Sequence, residues 1–134
     1  MLADDPLGAE RERFETPLPP GYAMAFEAIA ADPNNELLVC ELDEAVVGVL
    51  QITFTPYVTH QGSWRATIEG VRVDRGARGS GVGKAMVEEA VRRARERGCA
   101  IVQLTTDATR ADARTFYERL GFRPTHVGMK LRLD

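Results

Sequence analysis

Cysteine and histidine are scarce in this sequence: two of each in 134 residues. Cys40 and Cys99 each sit in an apolar run, and neither has a second cysteine or a histidine at metal-ligand spacing. That excludes a disulfide framework and a zinc-knuckle pattern, and both thiols are expected to be reduced, buried small hydrophobes. His60 and His126 each stand alone in a loop-like stretch and read as surface residues. No apolar run approaches the ~18 residues of a membrane span. Acids at Asp4 and Asp5, with no basic stretch around them, argue against a secretory signal, so a cytoplasmic protein is the default expectation. Basic excess is lacking too. The net charge is -3 and the pI about 5.5, against a duplex nucleic-acid binder.

What is present is an ordinary globular balance, 44% apolar and 28% charged, and the length suits one domain over residues 1–134. Residues 4–21 are polar and proline-rich and read as loop. A helical stripe of Tyr22, Ala25, Phe26 and Ile29 predicts a helix over 22–31 that Asp32-Pro33-Asn34-Asn35 ends. Phe26 is expected in the core. Strands are expected over 36–42, 45–56 and 63–73, joined by a turn at Asp43-Glu44 and a connection at 57–62. Short connections make these an antiparallel meander.

The apolar period then changes. Val82, Met86, Val87, Ala90, Val91 and Ala94 predict an amphipathic helix over 81–97, with Gly98 as its stop. Glu88 with Arg92, and Glu89 with Arg93, have the spacing of stabilising pairs. The acids among Arg92, Arg93, Arg95 and Arg97 make that run a solvated face. A strand over 100–105 completes a parallel crossover unit. A second helix is expected over 111–120, ended by Gly121, and a final strand or hairpin over 122–133. The fold class is therefore a mixed α/β sheet.

Between the third strand and the long helix lies Arg78-Gly79-Ser80-Gly81-Val82-Gly83. Glycines let backbone come close to a ligand, and the first amides of a helix lack partners and favour an anion. The spacing is not that of a dinucleotide fingerprint, whose third glycine would stand one position later, nor of a nucleotide P-loop.

The segment does resemble the Arg/Gln-x-x-Gly-x-Gly/Ala signature of the GNAT superfamily of N-acetyltransferases. Ile68-Glu69-Gly70-Val71-Arg72-Val73 looks like that family's fourth strand. Ala113-Arg114-Thr115-Phe116-Tyr117-Glu118-Arg119-Leu120-Gly121-Phe122 looks like its last helix and following turn. The resemblance covers about residues 36–134. It implies that Arg78, Gly79, Ser80, Gly81, Val82, Gly83 and Lys84 hold the pyrophosphate of acetyl-CoA, the cosubstrate. It implies that backbone groups of Val71 and Val73 bind the pantetheine arm and polarise the thioester, that Tyr117 is the general acid, and that no metal is needed. Glu69 is the candidate base. Arg110 stands where many members carry an asparagine and is a candidate contact to coenzyme phosphates.

The family opens with a strand and a long helix. No strand-like run precedes the polar segment here, so a sheet lacking that first strand is expected, with residues 1–21 as loop or a remnant of the helix. The exposed edge is compatible with a homodimer. The implied activity is acetyl transfer to a primary amine of a small molecule or peptide, with no nucleic acid or membrane as partner. Phe14, Tyr22 and Tyr57 are candidates for an acceptor wall. The alternatives are a non-catalytic acyl-CoA-binding sensor and, more remotely, a nucleotide-binding domain.

Overall fold

The structure, a computed structural model, describes residue 12 and residues 18–134. The sequence expectations for 4–11 and 13–17, including Phe14 and the question of a first strand, lie outside the described residues.

Helix α1 spans Pro20–Ala31, two residues earlier than expected. A proline is tolerated in a helix's first turn because its missing N–H would have had no partner there. The helix ends where the Asp32 N–H reaches the Ile29 carbonyl. None of its residues is fully buried, and Phe26, expected in the core, is 59% exposed. The stripe is real in spacing, but only Tyr22 and Ile29 of it are half-buried. The Tyr22 hydroxyl donates to Glu12 at 2.9 Å.

Strands β1, Asn35–Leu42, and β2, Ala45–Pro56, form the predicted hairpin. Its two-residue turn puts Asp43 and Glu44 at φ 50° and 67°, the left-handed pair that matches the twist of the flanking strands. Strand β3, Trp64–Val73, pairs antiparallel with β2, after a short helical turn at Thr59–Gly62. Helix α2, Val82–Glu96, leads into β4, Ile101–Leu104, which lies parallel to β3. The sheet order is β1-β2-β3-β4. Helix α3 spans Ala111–Arg119.

The core is one sheet face against one helix. Period-two burial in β2 points Leu50, Ile52 and Phe54 at it, and β3 adds Ala66 and Ile68. Helix α2 answers with Val82, Met86, Val87, Ala90 and Ala94. Each large side chain buried here contributes roughly 1.5–3 kcal/mol. Gly48 lets the helix come close: a Cβ there would stand 2.4 Å from Met86 Sδ and 3.1 Å from Val82 Cγ1. Cys40 and Cys99 are free and half-buried rather than fully so.

The solvent side of α2 is paired differently from expectation. Arg93 bonds Glu89, as predicted, and also Glu36 of β1 at 2.8 Å. Arg92 turns to Glu89 and Glu96, leaving Glu88 to Lys84 at 3.8 Å. Glu89 lies one turn from Arg92 just as Glu88 does, and it presents two oxygens to the guanidinium fork.

The expected final strand over 122–133 does not form: no strand is assigned after β4. Pro124 cannot donate to a ladder, and no neighbouring strand accompanies the residues that follow. Among the described residues, no helix is long and apolar enough to cross a membrane.

Candidate active site

The glycine-rich turn is an anion seat by geometry. Strand β3 ends at Val73, and Asp74 is tied back by its N–H to the Val47 carbonyl at 2.8 Å. A 3-10 turn at Arg75–Ala77 then leads into Gly79 and Gly81, at φ 81° and 87°. These are left-handed values that favour glycine, and a Cβ on either residue would meet no atom within 4 Å. The turn therefore faces open space. The Ala85 N–H donates to the Gly81 carbonyl at 3.0 Å. No side chain caps the helix and no acid lies in its first turn. The amides of Val82, Gly83 and Lys84 thus have no partner inside the helix and point, with the helix dipole, at that space. Arg78 and Ser80 are exposed but bond back to the chain: Arg78 Nε donates to the Val73 carbonyl at 3.1 Å, and the Ser80 hydroxyl donates to the Ala77 carbonyl. Lys84 is exposed beside Glu88.

A gap opens next to this seat. The β3–β4 ladder runs from Arg65 with Ile101 to Ile68 with Leu104 and stops. Strand β3 continues to Val73, so its 69–73 stretch has β2 on one side and, among the described residues, no strand on the other. Val71 and Val73 lie in that stretch. A shift of register between Val49 and Gln51, with Gly70 at φ 64°, bends the strand there. An edge with no neighbouring strand is what an extended amide-bearing ligand can pair with; here the Val71 carbonyl accepts from Arg72 at 2.8 Å and the Val73 carbonyl from Arg78, so the strand N–H groups are what the edge offers.

Helix α3 brings the phenol to this region. Phe116 lies against the start of α2, its Cζ 3.4 Å from where a Gly83 Cβ would be. Tyr117 meets Phe116 edge-on at 5.0 Å and Phe122 at 5.8 Å. Burial pushes the Tyr117 hydroxyl above the ordinary tyrosine value, opposed by the guanidinium groups of Arg110 and Arg72. The group keeps its proton through neutral pH. Arg110 stands just ahead of α3, its N–H bonded to the Asp107 carbonyl at 2.9 Å.

The guanidinium groups of Arg110 and Arg72 thus act electrostatically on Tyr117, while Glu69, Val71 and Val73 share the stretch of β3 beyond the β3–β4 ladder and 78–84 form the turn before α2. Glu69 is exposed. Tyr57 carries the Arg65 guanidinium 4.3 Å above its ring. His60 and His126 lie exposed in turns. Among the described residues, no group of three His, Cys, Asp or Glu could hold a metal ion. The sequence reading missed two contributors. Arg72 was legible only as a charge set between two valines. Gly48 was legible as a lone glycine inside a strand, a sign of close backbone approach.

The chain is similar to known acetyltransferases. Residues 5–122 match the acetyltransferase (GNAT) family. The chain is 29% identical over 105 residues to the aminoalkylphosphonate N-acetyltransferase of Salmonella typhimurium, covering 78% of this chain and 68% of that one. It is 35% identical over 88 residues to the glucosamine 6-phosphate N-acetyltransferase of Trypanosoma brucei brucei, covering 66% and 58%. The crystal structure of a transcriptional regulator from Bacillus halodurans C-125 superposes with a TM-score of 0.96 at 58% identity, over 99% of this chain and 89% of that one.

Proposed function

This chain belongs to the acetyltransferase (GNAT) family and is an acyltransferase, and from that premise we propose how its own residues carry out the transfer. The cosubstrate is acetyl-CoA, as in the family generally. Its pyrophosphate rests on the amides of Val82, Gly83 and Lys84, within the turn 78–84, and its thioester lies along the unpaired edge at Val71 and Val73. The observation that carries this reading is the coincidence of unpartnered amides at the start of α2 with the end of the β3–β4 ladder at Ile68. Arg110 lies on the coenzyme side, beside the phenol.

The acceptor is a primary amine in its neutral form. An alkyl ammonium, pKa about 10, must first lose a proton, and Glu69 takes it directly or through water. The nitrogen lone pair attacks the thioester carbon, and charge moves to the carbonyl oxygen, where strand N–H groups stabilise it. The C–N bond forms and the C–S bond breaks. Tyr117 gives its proton to the departing thiolate, and the nitrogen releases its remaining extra proton through water to the phenolate, leaving an acetamide, free coenzyme A and Tyr117 in its starting form. Held neutral by burial and close to two guanidinium groups, Tyr117 suits a donor whose phenolate must be tolerated briefly.

The acceptor we assign is small and also carries an anion. Both relatives described above are named for amines that bear a phosphonate or a phosphate. Arg72 supports the assignment: its neighbour Val73 sits opposite Gly48, which faces α2, so Arg72 lies on the sheet face away from the coenzyme turn.

A thiol-release assay against aminoalkylphosphonates, amino sugars, their phosphates and uncharged amines tests this. The expected result is release with amines bearing the anion, and at least tenfold lower kcat/KM without it. Coenzyme A uptake with no thiol release for any amine would instead make the chain a regulatory module.

A further inference from the structure

Strand register lines up uncharged polar side chains across the whole sheet. Asn35 of β1 stands opposite Thr53 of β2, Thr53 opposite Thr67 of β3, and Thr67 beside Gln103 of β4. Alternation puts this row on the face away from α2, because the neighbouring Ile52 and Ile68 point into the core. An amide stands at each end and a hydroxyl at each middle position. All are half-buried.

The row has hydrogen-bonding capacity to spare. The Gln103 amide donates to the Thr67 hydroxyl oxygen at 3.1 Å, and the Gln51 amide, one row along, donates to the Asn35 carbonyl oxygen at 3.0 Å. Among the described residues no other hydrogen bond occupies these side chains. The Thr67 O–H remains to donate, and Gln103 keeps its second N–H and its carbonyl oxygen. A ligand hydroxyl both donates and accepts, so it can meet either end of this pair. A phosphate or carboxylate only accepts, and a hydrocarbon does neither.

The position of the row ties it to the transfer. Glu69 follows Thr67 by two residues on the same face, opposite Gln51, and Arg72 lies one row further on, opposite Val49. Two residues of strand span about 7 Å, a distance that one hydroxyl-bearing carbon ring can bridge. Along β3 the face thus presents a hydroxyl and an amide, then a carboxylate, then a guanidinium.

Resting on the acceptor reading above, with the amine at Glu69 and the anion toward Arg72, we propose that the acceptor is a polyhydroxylated amine of the amino-sugar class, and that Thr67 and Gln103 hold the hydroxyls next to its amine. The two side chains then set specificity and take no part in moving protons.

Thiol release with glucosamine 6-phosphate, aminohexyl phosphate, glucosamine and hexylamine tests this, because hydroxyls and anion vary separately across the set. The kcat/KM for glucosamine 6-phosphate should exceed that for aminohexyl phosphate by about tenfold or more, the worth of one or two matched hydrogen bonds. Gln103→Met combined with Thr67→Val keeps side-chain bulk and removes the polar atoms. It should shrink that ratio about tenfold, chiefly through KM for the sugar. Coenzyme A affinity and the melting curve report that the variant is folded. Equal kcat/KM for the two phosphates in the unaltered chain overturns the inference, and leaves the catalytic reading intact where both phosphates outrun their anion-free counterparts. A hydroxyl preference with no anion preference supports the inference and removes the anion from the acceptor. A double variant that slows both phosphates alike overturns it too, since Thr67 and Gln103 would then only join β3 to β4. Thiol release from none of these amines defeats the acceptor reading and takes this inference with it.

Discussion

The ring of Phe116 stands edge-on to that of Tyr117, centroids 5.0 Å apart at 74°, while its far edge rests against Gly83 in the first turn of α2. One aromatic ring thus couples the anion seat to the phenol. Gly83→Ala places a methyl at ordinary contact distance and should be tolerated. Gly83→Leu must displace Phe116 and carry Tyr117 with it. The expected outcome is a loss of both coenzyme A affinity and kcat with the fold retained, read by isothermal titration, steady-state rates and circular dichroism.

Tyr117→Phe removes the proton donor and little else, because the phenyl ring keeps both edge contacts. General acid catalysis contributes about 10²- to 10⁴-fold, so kcat should fall in that range with coenzyme affinity unchanged. The pH dependence has a definite sign. Burial raises this pKa, so the donor is loaded throughout the neutral range and is lost only above the ordinary tyrosine value of about 10. Stability linked to the neutral phenol is likewise present below that value and declines above it. Tyr117→Phe should therefore be the less alkali-sensitive protein in melting experiments, and an unchanged kcat would remove Tyr117 from the chemistry.

Gly81 takes φ 87° immediately before α2. Gly81→Ala keeps the open space but adds left-handed strain of about 1–2 kcal/mol. Gly81→Glu adds a negative charge where the helix favours a bound anion. Coenzyme A binding should fall at least tenfold for the glutamate and less for the alanine. Equal affinities in the two variants would mean that charge at the turn is irrelevant.

Gly48→Ala tests the sheet–helix contact. The new methyl would overlap Met86 Sδ at 2.4 Å. Overpacking of this kind costs about 1–3 kcal/mol, which should appear as a lowered denaturation midpoint with the urea m-value retained. Met86→Ala in the same chain should relieve the overlap, making the pair of changes non-additive.

Much of this architecture was legible beforehand because burial is periodic. Leu50, Ile52 and Phe54 alternate, Val82, Met86, Val87, Ala90 and Ala94 follow a helical stripe, and each period matches the element found. The glycine turn was legible because it breaks both periods at once. Period, however, says which side of an element is apolar and never what lies against it. Phe26 has helical spacing but no facing layer, and it is exposed. The same limit explains 127–133, whose strand pattern finds no strand beside it among the described residues. Arg92 shows the electrostatic version: Glu88, Glu89 and Glu96 were all within reach, and spacing could not say that Glu88 would be the one left to Lys84. The electrostatic influence of Arg72 on Tyr117 joins residues far apart in sequence, so only the fold reveals it.

Strand β4 is four residues long against ten for β3. Were Thr105 and Thr106 to join the ladder, the sheet would gain hydrogen bonds and the protein would resist heat better, while the room proposed for the thioester would zip shut. Mutants selected purely for sturdiness should then lose turnover whenever the change falls near these threonines. Hardening that leaves catalysis alone must be sought at the far edge of the sheet, around β1 and α1.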